Sequence, residues 1–329
     1  MHLELLGLLV LLLAGLVAFV ATMIAYTTWS LTHPPRRGYA WAVSRSAPGD
    51  PSEVVLPPGE SPLVFEAWTC AVRNGRVRLP VWDIPGRRSD GPVALILHGW
   101  GDSRVVMLSR LPVLVPLCSR VVMIDLAGHG EATGICTLGF RESADLRELV
   151  GQISPAQPLL LVGFSFGAAL AIQLGESLRS SAASPGSPPI RLAGVIAEAP
   201  YRFTRTPASN TLRLRGLPST WNVRAALAII ARLYGQRGAS ANGGSADRAE
   251  FARSLSCPLL IVHGDTDAIV PLEDGRTIAQ SAGQATLAVI AGGEHHNLWT
   301  DPGLARFVRA AVEPFVAALG GAVDADTLG

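Results

Sequence analysis

A serine flanked by glycines, between an apolar run and a run of small residues, is the feature that most constrains the fold. Residues 163–167 read Gly-Phe-Ser-Phe-Gly, follow the apolar run 158–162 and precede Ala-Ala-Leu-Ala. A sharp turn from strand to helix needs glycine on each side of its apex, because larger side chains would clash with the strand and the helix. The pattern predicts that a strand ends here, that Ser165 projects above it, and that the following helix N-terminus favours negative charge.

Short apolar runs recur along the chain, with helix-like segments between them. The runs are 93–97, 121–124, 159–162, 192–197, 259–262 and 287–290. Such alternation predicts an α/β fold with a mostly parallel sheet and helices on both faces. Two further runs, 65–72 and 76–82, flank Asn74-Gly75, which is a two-residue hairpin signal. Antiparallel strands are therefore expected to open the domain.

Polar motifs stand directly after several of these runs. They occupy residues 98–103, 125–131, 263–271 and 292–299. Ligands of parallel α/β sheets bind beyond the carboxyl ends of the strands, so these motifs are expected to meet near Ser165. A serine nucleophile needs a base to take its proton and an acid to orient that base. Aspartate and histidine candidates follow Ser165 in that order along the chain.

Together these motifs resemble an α/β-hydrolase of the serine-hydrolase type, over residues 65–319. His-Gly-Trp-Gly-Asp-Ser at 98–103 resembles the family's oxyanion loop, and Asp-Leu-Ala-Gly-His-Gly-Glu at 125–131 resembles its loop after the fourth strand. The order Ser, Asp, His is the one that this family uses. Ala127 departs from the pattern, since arginine is common there, and this difference concerns substrate contacts rather than the triad.

The resemblance implies a role for each candidate. Ser165 would be the nucleophile and Asp267 the orienting acid, because the family pattern H-G-x-x-D-x-x-V-P places the acid on the second aspartate. Asp265 stays open as the alternative acid. His295 would be the base, with the adjacent His296 as the alternative. The oxyanion hole would consist of the backbone N–H groups of Trp100 and Phe166, each worth about 2.7 to 4 kcal/mol in the transition state.

Composition excludes several other chemistries. The formal net charge is +1, which does not favour nucleic-acid binding, and the chain has no lysine for a Schiff base or a phosphate-binding loop. The four cysteines are scattered without metal-ligand spacing. Glu294-His295-His296 lacks the H-E-x-x-H spacing of zinc enzymes, so neither a metal nor a cofactor is expected. The remaining histidines of the motifs are expected to be structural, namely His98, His129 and His263.

The N-terminus predicts a membrane anchor. Residues 5–32 carry no charge and are dominated by Leu, Val and Ala, and about 20 apolar residues suffice to cross a bilayer. A cleaved secretory signal is the competing interpretation, but Glu4 stands where a signal would carry basic residues. Arg36, Arg37 and Arg45 follow the span, so the positive-inside rule predicts a single-pass protein with a cytoplasmic catalytic domain.

The predicted organisation has four parts. Residues 1–32 form the transmembrane anchor, 33–62 a tether rich in Pro and Gly, 63–320 the α/β-hydrolase domain, and 321–329 a flexible tail. Within the domain, residues 200–253 form a small helical cap insertion. This insertion has many arginines, no acidic residue between 200 and 246, and an amphipathic helix over 221–234.

The predicted function is hydrolysis of a carboxylic ester or thioester through an acyl-enzyme. An anchor and a cationic, amphipathic cap favour a lipid-derived acyl ester as the substrate. Two alternatives stay open, namely acyl transfer on the same triad and a catalytically silent hydrolase fold that serves as a binding module. The fold by itself does not choose between them, and the sequence specifies no oligomeric state.

Overall fold

A computed structural model describes residues 2–56, 60–153, 157–181, 190–235 and 246–319 of the chain. The strands are β1 (Glu66–Val72), β2 (Val77–Pro85), β3 (Val93–Leu97), β4 (Arg120–Ile124), β5 (Leu159–Phe164), β6 (Leu192–Glu198), β7 (Leu259–Gly264) and β8 (Ala285–Ile290). The helices are α1 (His2–Thr32), α2 (Tyr39–Val43), α3 (Leu111–Leu117), α4 (Glu142–Ile153), α5 (Phe166–Ser181), α6 (Arg205–Leu214), α7 (Trp221–Tyr234), α8 (Arg248–Arg253), α9 (Leu272–Ser281) and α10 (Pro302–Leu319). Short 3₁₀ helices cover Pro51–Glu53 and Arg104–Arg110.

These strands form one sheet in the order β1-β2-β4-β3-β5-β6-β7-β8. β1 and β2 are antiparallel to each other, and β2 is antiparallel to β4. From β4 to β8 every neighbouring pair is parallel. The six apolar runs thus form the six parallel strands, which confirms the predicted α/β-hydrolase fold.

The opening hairpin has a longer turn than predicted. Val72 pairs with Val77, so the turn comprises the residues 73–76 and not Asn74-Gly75 alone. Arg73, Asn74 and Gly75 all have positive φ. The Arg73 guanidinium donates to Asp145 on α4 at 2.6 and 2.8 Å, which ties the turn to that helix.

Hydrophobic cores lie on both faces of the sheet. Along β3, Leu95 and Leu97 face one core while Ala94 and Ile96 face the other, as the period of two in a strand requires. Helices α4, α5, α8 and α9 contribute buried residues to the first core, and α3 and α10 contribute to the second. β3, β5 and β7 are buried at every residue, which explains why they are continuous apolar runs, whereas only Ile290 of the edge strand β8 is buried.

The insertion predicted as a cap divides between two places. α6 and α7 pack together and α7 packs along α1, whereas α8 packs on α5 and α9. The last of the three helices therefore belongs to the body of the hydrolase domain. Residues 236–245 of the insertion lie outside the described residues.

The N-terminal helix is long enough and apolar enough to cross a membrane. Its side chains are exposed over most of its length, but Thr27, Leu31 and Thr32 near its end are buried against the domain. The segment predicted as a tether also packs, because Ala42, Val54 and Leu63 belong to the second core. Those contacts distinguish the described parts of 33–62 from a free linker. The predicted tail, 321–329, lies outside the described residues.

Candidate active site

The predicted elbow joins β5 to α5 at Ser165. This residue has φ +51°, and its N–H donates to the Glu198 carbonyl at 2.8 Å. A Cβ on Gly163 would lie 2.2 Å from the carbonyl oxygen of Gly167, and a Cβ on Gly167 would lie 2.2 Å from that of Leu97. Both distances are far below contact, so both positions of the turn require glycine. The strained φ of Ser165 raises its side chain above the carboxyl edge of the sheet.

The three favoured candidates are joined by hydrogen bonds. His295 Nε2 lies 3.0 Å from Ser165 Oγ, and His295 Nδ1 lies 2.6 Å from Asp267 Oδ2. All three side chains are almost entirely buried. The residues come from three separate loops after β5, β7 and β8, and the parallel sheet brings these loops to one edge.

The loop after β7 fixes the Asp267 carboxylate. Its second oxygen, Oδ1, accepts from the backbone N–H groups of Ile269 and Val270, both at 2.8 Å. Burial raises the pKa of Asp267, but the hydrogen bond and charge of His295 and these two N–H donors outweigh it, so the pKa lies below its usual value. Asp267 is therefore ionised at neutral pH and held at both oxygens.

The two alternative candidates lie beside this chain of hydrogen bonds. Asp265 Oδ1 accepts from the Gly292 N–H at 2.7 Å, which ties the two loops together. The His296 ring lies edge-on to His295, with centroids 4.9 Å apart, and also contacts Phe164. Among the described residues, neither Asp265 nor His296 is hydrogen-bonded to Ser165 or His295.

The loop after β3 lies across the elbow. The backbone N–H groups of Trp100 and Phe166, the predicted oxyanion donors, bond to no acceptor within the described residues. The Trp100 indole donates to the Leu31 carbonyl at 3.0 Å. His98 supports this loop, because its Nδ1 donates to the Gly99 carbonyl and its Nε2 accepts the Leu126 N–H. Burial lowers the pKa of His98 to about 4, so the ring is neutral.

A buried ion pair behind the elbow was missed by the sequence analysis. Arg110 donates to Glu198 Oε2 at 2.6 Å, and the Trp299 indole donates to Glu198 Oε1 at 2.9 Å. The guanidinium also lies 5.7 Å from the ring centroid of Phe164, the residue before Ser165. Glu198 is the last residue of β6, so a carboxylate at a strand end was the signal that could have identified it.

Thiols and metal ligands contribute nothing to the described site. Burial raises the pKa of Cys70 to about 11 and the pKa values of Cys118 and Cys257 to about 12, and it raises that of Cys136 too. These thiols are therefore protonated at neutral pH. In the part of the chain that the structure covers, no group of three His, Cys, Asp or Glu side chains has the arrangement of a metal site.

A cavity of about 290 Å³ opens over Ser165 and His295. Part of its wall comes from α6, through Pro207, Ala208 and Thr211. The opposite part comes from the end of α1 and the residues that follow it. Most of the lining is apolar, so the site combines a polar hydrogen-bonded centre with an apolar chamber, which is the usual build of a small-molecule pocket.

Known proteins resemble both the sequence and the fold. The chain is 29% identical over 224 residues to the lysophosphatidylserine lipase ABHD12 of Danio rerio, covering 65% of this chain and 53% of that protein. It is 29% identical over 258 residues to the biotin biosynthesis bifunctional protein BioHC of Cellvibrio japonicus, covering 71% and 49%. The chain thus spans about half the length of these curated relatives.

Among solved structures, an esterase of Pyrococcus furiosus has a TM-score of 0.60 at 18% identity, covering 88% of this chain and 97% of that one. An esterase of Thermogutta terrifontis has a TM-score of 0.54 at 22% identity, covering 78% and 99%. These likenesses show the fold. The sequence profile of the alpha/beta hydrolase family matches residues 94–310, more than half of the chain. The chain therefore belongs to the alpha/beta hydrolase family.

Proposed function

We propose that this protein is a membrane-anchored serine hydrolase that cleaves a carboxylic ester or thioester through an acyl-enzyme. The observation that carries the proposal is the hydrogen-bonded series Asp267, His295, Ser165, with 2.6 and 3.0 Å between the partners. A serine hydroxyl with a neutral imidazole on one side, and a carboxylate behind that imidazole, is the arrangement that activates serine for attack.

The catalytic proton passes between Ser165 and His295, while Asp267 stays ionised. Asp267 Oδ2 holds the proton on His295 Nδ1, which leaves Nε2 free to accept the Ser165 hydroxyl proton as Oγ attacks the acyl carbon. The imidazolium that forms is stabilised by the ionised carboxylate. It then gives its proton to the leaving alcohol or thiol, and the acyl group stays on Ser165. Water then gives a proton to His295 as its oxygen attacks the acyl carbon. The bond to Ser165 Oγ breaks, the imidazolium returns the proton to Oγ, and the acid leaves.

The backbone N–H groups of Trp100 and Phe166 stabilise the oxyanion. Support comes from their lack of another acceptor within the described residues. Gly101, with φ +75°, allows the loop to turn beside the elbow. The N-terminus of α5 adds the positive end of its helix dipole at the same place.

A lipid-derived acyl ester is the proposed substrate class. The chamber beside Ser165 is lined by apolar side chains such as Leu138, Leu212 and Ile269, which suit an acyl chain. One relative is a lipase of lysophosphatidylserine by name. A lysophospholipid or a monoacylglycerol combines a single acyl chain with a polar leaving group, and the apolar lining beside Ser165 suits that acyl chain.

The helix α1 is the proposed membrane anchor. Its length of 31 residues and its apolar composition suit a bilayer, and the arginines after it, Arg36 and Arg37, favour a cytoplasmic catalytic domain. Protease protection in right-side-out and inverted vesicles tests this orientation. Cleavage of the hydrolase domain only in inverted vesicles supports it.

Product analysis tests the reaction. The detergent-solubilised protein is incubated with a lysophospholipid or a monoacylglycerol, and the released fatty acid is quantified against Ser165→Ala. Fatty acid release that depends on Ser165 supports hydrolysis. An acylated alcohol in place of free acid would establish transfer, and no turnover of any acyl ester by folded protein would contradict an enzymatic role.

A further inference from the structure

The end of the N-terminal helix lies in the wall of the active-site cavity. Ser30 and Leu31 of α1 line the same cavity as Ser165 and His295. Leu31 is only 7% exposed. A helix that served as an anchor alone would have no reason to contribute side chains to a catalytic chamber.

Specific polar contacts hold this helix end in place. The Leu31 carbonyl accepts from the indole of Trp100, and Thr27 Oγ1 accepts from Asn222 on α7 at 3.0 Å. Just after the helix, Arg37 pairs with the buried carboxylate of Asp102. The loop after β3 and the cap helix α7 therefore both bind the end of α1.

The length of α1 places the cavity at the membrane surface. Residues 2–22 have exposed side chains, apart from the partly exposed Val20, and rise about 30 Å at 1.5 Å per residue. This equals the thickness of the hydrocarbon core, also about 30 Å. The helix meets the domain from about Met23 onward, so the bilayer ends where the domain begins.

The cap presents a matching face beside α1. On α7 the exposed stripe comprises Trp221, Arg224, Ala228, Ile229, Arg232 and Leu233, at helical spacing. Aromatic, aliphatic and arginine side chains together are typical of surfaces that lie at a bilayer interface with anionic lipids. Neither α6 nor α7 contains an acidic residue.

The neighbouring helix α6, which packs against α7, contributes exposed residues to the wall of the chamber. Leu214 at its end is 60% exposed, and both it and the following Arg215 line the cavity. The cavity wall therefore includes exposed residues of the cap as well as the end of α1.

From this geometry we infer that the last turn of α1 is one wall of the acyl-binding pocket, and that the pocket takes its acyl ester laterally from the bilayer. The inference rests on the proposed hydrolase function and adds its substrate route. The chain carries out recognition with the same helix that anchors it. Leu31 is the residue that contacts the acyl chain from that side.

The first test enlarges the side chain at this wall. Leu31→Trp is compared with Leu12→Trp, whose position is 62% exposed in the membrane stretch. Hydrolysis of p-nitrophenyl esters from acetate to decanoate is measured after active-site titration with a fluorophosphonate. We expect Leu31→Trp to lower the decanoate-to-acetate ratio of kcat/KM by roughly tenfold or more, and Leu12→Trp to leave it unchanged.

A second variant keeps the test decisive if Leu31→Trp does not fold. Leu31→Ala enlarges the chamber and is expected to shift the preference toward longer acyl chains. The inference would be overturned if both variants react with the fluorophosphonate and show the same chain-length preference as wild type. If Leu31→Trp does not fold, the same result in Leu31→Ala alone would overturn it. A fluorophosphonate that fails to label Ser165 in wild type would instead refute the hydrolase function.

The second test addresses the route. Full-length protein is reconstituted in phosphatidylcholine vesicles that all contain the same minor fraction of phosphatidylserine. A stearoyl ester is placed either in the same vesicles or in separate ones. Lateral uptake predicts hydrolysis faster by about tenfold or more in the same vesicles, because the local concentration is higher. Equal rates, with Ser165 labelled equally, would overturn the bilayer route.

Discussion

The hydrogen bonds of Asp267 predict what Asp267→Asn does to His295. Oδ1 accepts two backbone N–H groups, from Ile269 and Val270. In the variant, the amide oxygen must stay on that side, because an NH₂ group there would face two other donors. The amide NH₂ therefore points at His295 Nδ1, which must then be the acceptor. The ring proton moves to Nε2, where it faces Ser165 Oγ and leaves no base for the hydroxyl proton.

The expected loss follows from this tautomer change. We expect kcat/KM to fall about 10⁴-fold, which corresponds to about 5 kcal/mol of transition-state stabilisation. The fold is retained, since the side chains have the same shape. The assay measures p-nitrophenyl ester hydrolysis together with the rate of fluorophosphonate labelling, and both should fall in parallel.

Asp265→Asn provides the matched control for this variant. The Asp265 carboxylate binds Gly292 and not His295, so its variant should retain most of the wild-type rate. If Asp267→Asn stayed within tenfold of wild type while Asp265→Asn were inactive, the reasoning would be refuted. The acid of the triad would then be Asp265.

Three further predictions concern stability. Gly163→Ala places its Cβ against backbone at 2.2 Å and should lower the free energy of unfolding in urea by about 3 kcal/mol or more. Its control, Gly151→Ala, has nothing within 4 Å of the new Cβ and should raise that free energy by about 0.5 to 1 kcal/mol, so equal effects would contradict the packing of the elbow. Glu198→Gln leaves the buried Arg110 without its counter-ion and should lower the free energy of unfolding by about 3 kcal/mol. The exposed control Glu273→Gln should lower it by less than about 1 kcal/mol, and the same loss for both would refute the stabilising role of the buried pair. The pKa of His98 is about 4 in the folded protein and 6.5 in the unfolded chain, so the stability that the neutral ring provides is complete above pH 6.5 and is lost as pH falls toward 4. The free energy of unfolding should therefore depend less on pH in this window in His98→Asn, and the same pH dependence in both proteins would contradict this.

Much of the fold was predictable from the sequence because the inner parallel strands are buried on both faces. Such strands appear as short continuous apolar runs, and β3 occupies the run 93–97 without change. The amphipathic pattern of 221–234 likewise matches α7. The hairpin turn was predicted two residues too short, since Val72 pairs with Val77 and residues 73–76 form the turn.

The candidate site also has features that the local sequence predicts and features that depend on packing. Glycines at the elbow and the order of Ser, Asp and His are local properties of the sequence. The choice between His295 and His296 depends on ring orientation, which a loop of adjacent histidines leaves open. The contribution of Leu31 to the cavity depends on where α1 meets the domain. The sequence of the segment after α1 predicts a tether because Pro, Gly and Ser dominate it. The few apolar residues that pack it onto the domain, such as Val54, give no periodic pattern.

The most direct measurement of the central claim is the site of covalent labelling by a fluorophosphonate. The detergent-solubilised wild type, His295→Ala and His296→Ala are labelled, digested and mapped by mass spectrometry. The account predicts an adduct on Ser165 in wild type and in His296→Ala, and labelling of His295→Ala that is slowed by orders of magnitude. Folded wild-type protein without an adduct on Ser165, or His295→Ala labelled at the wild-type rate, would contradict it.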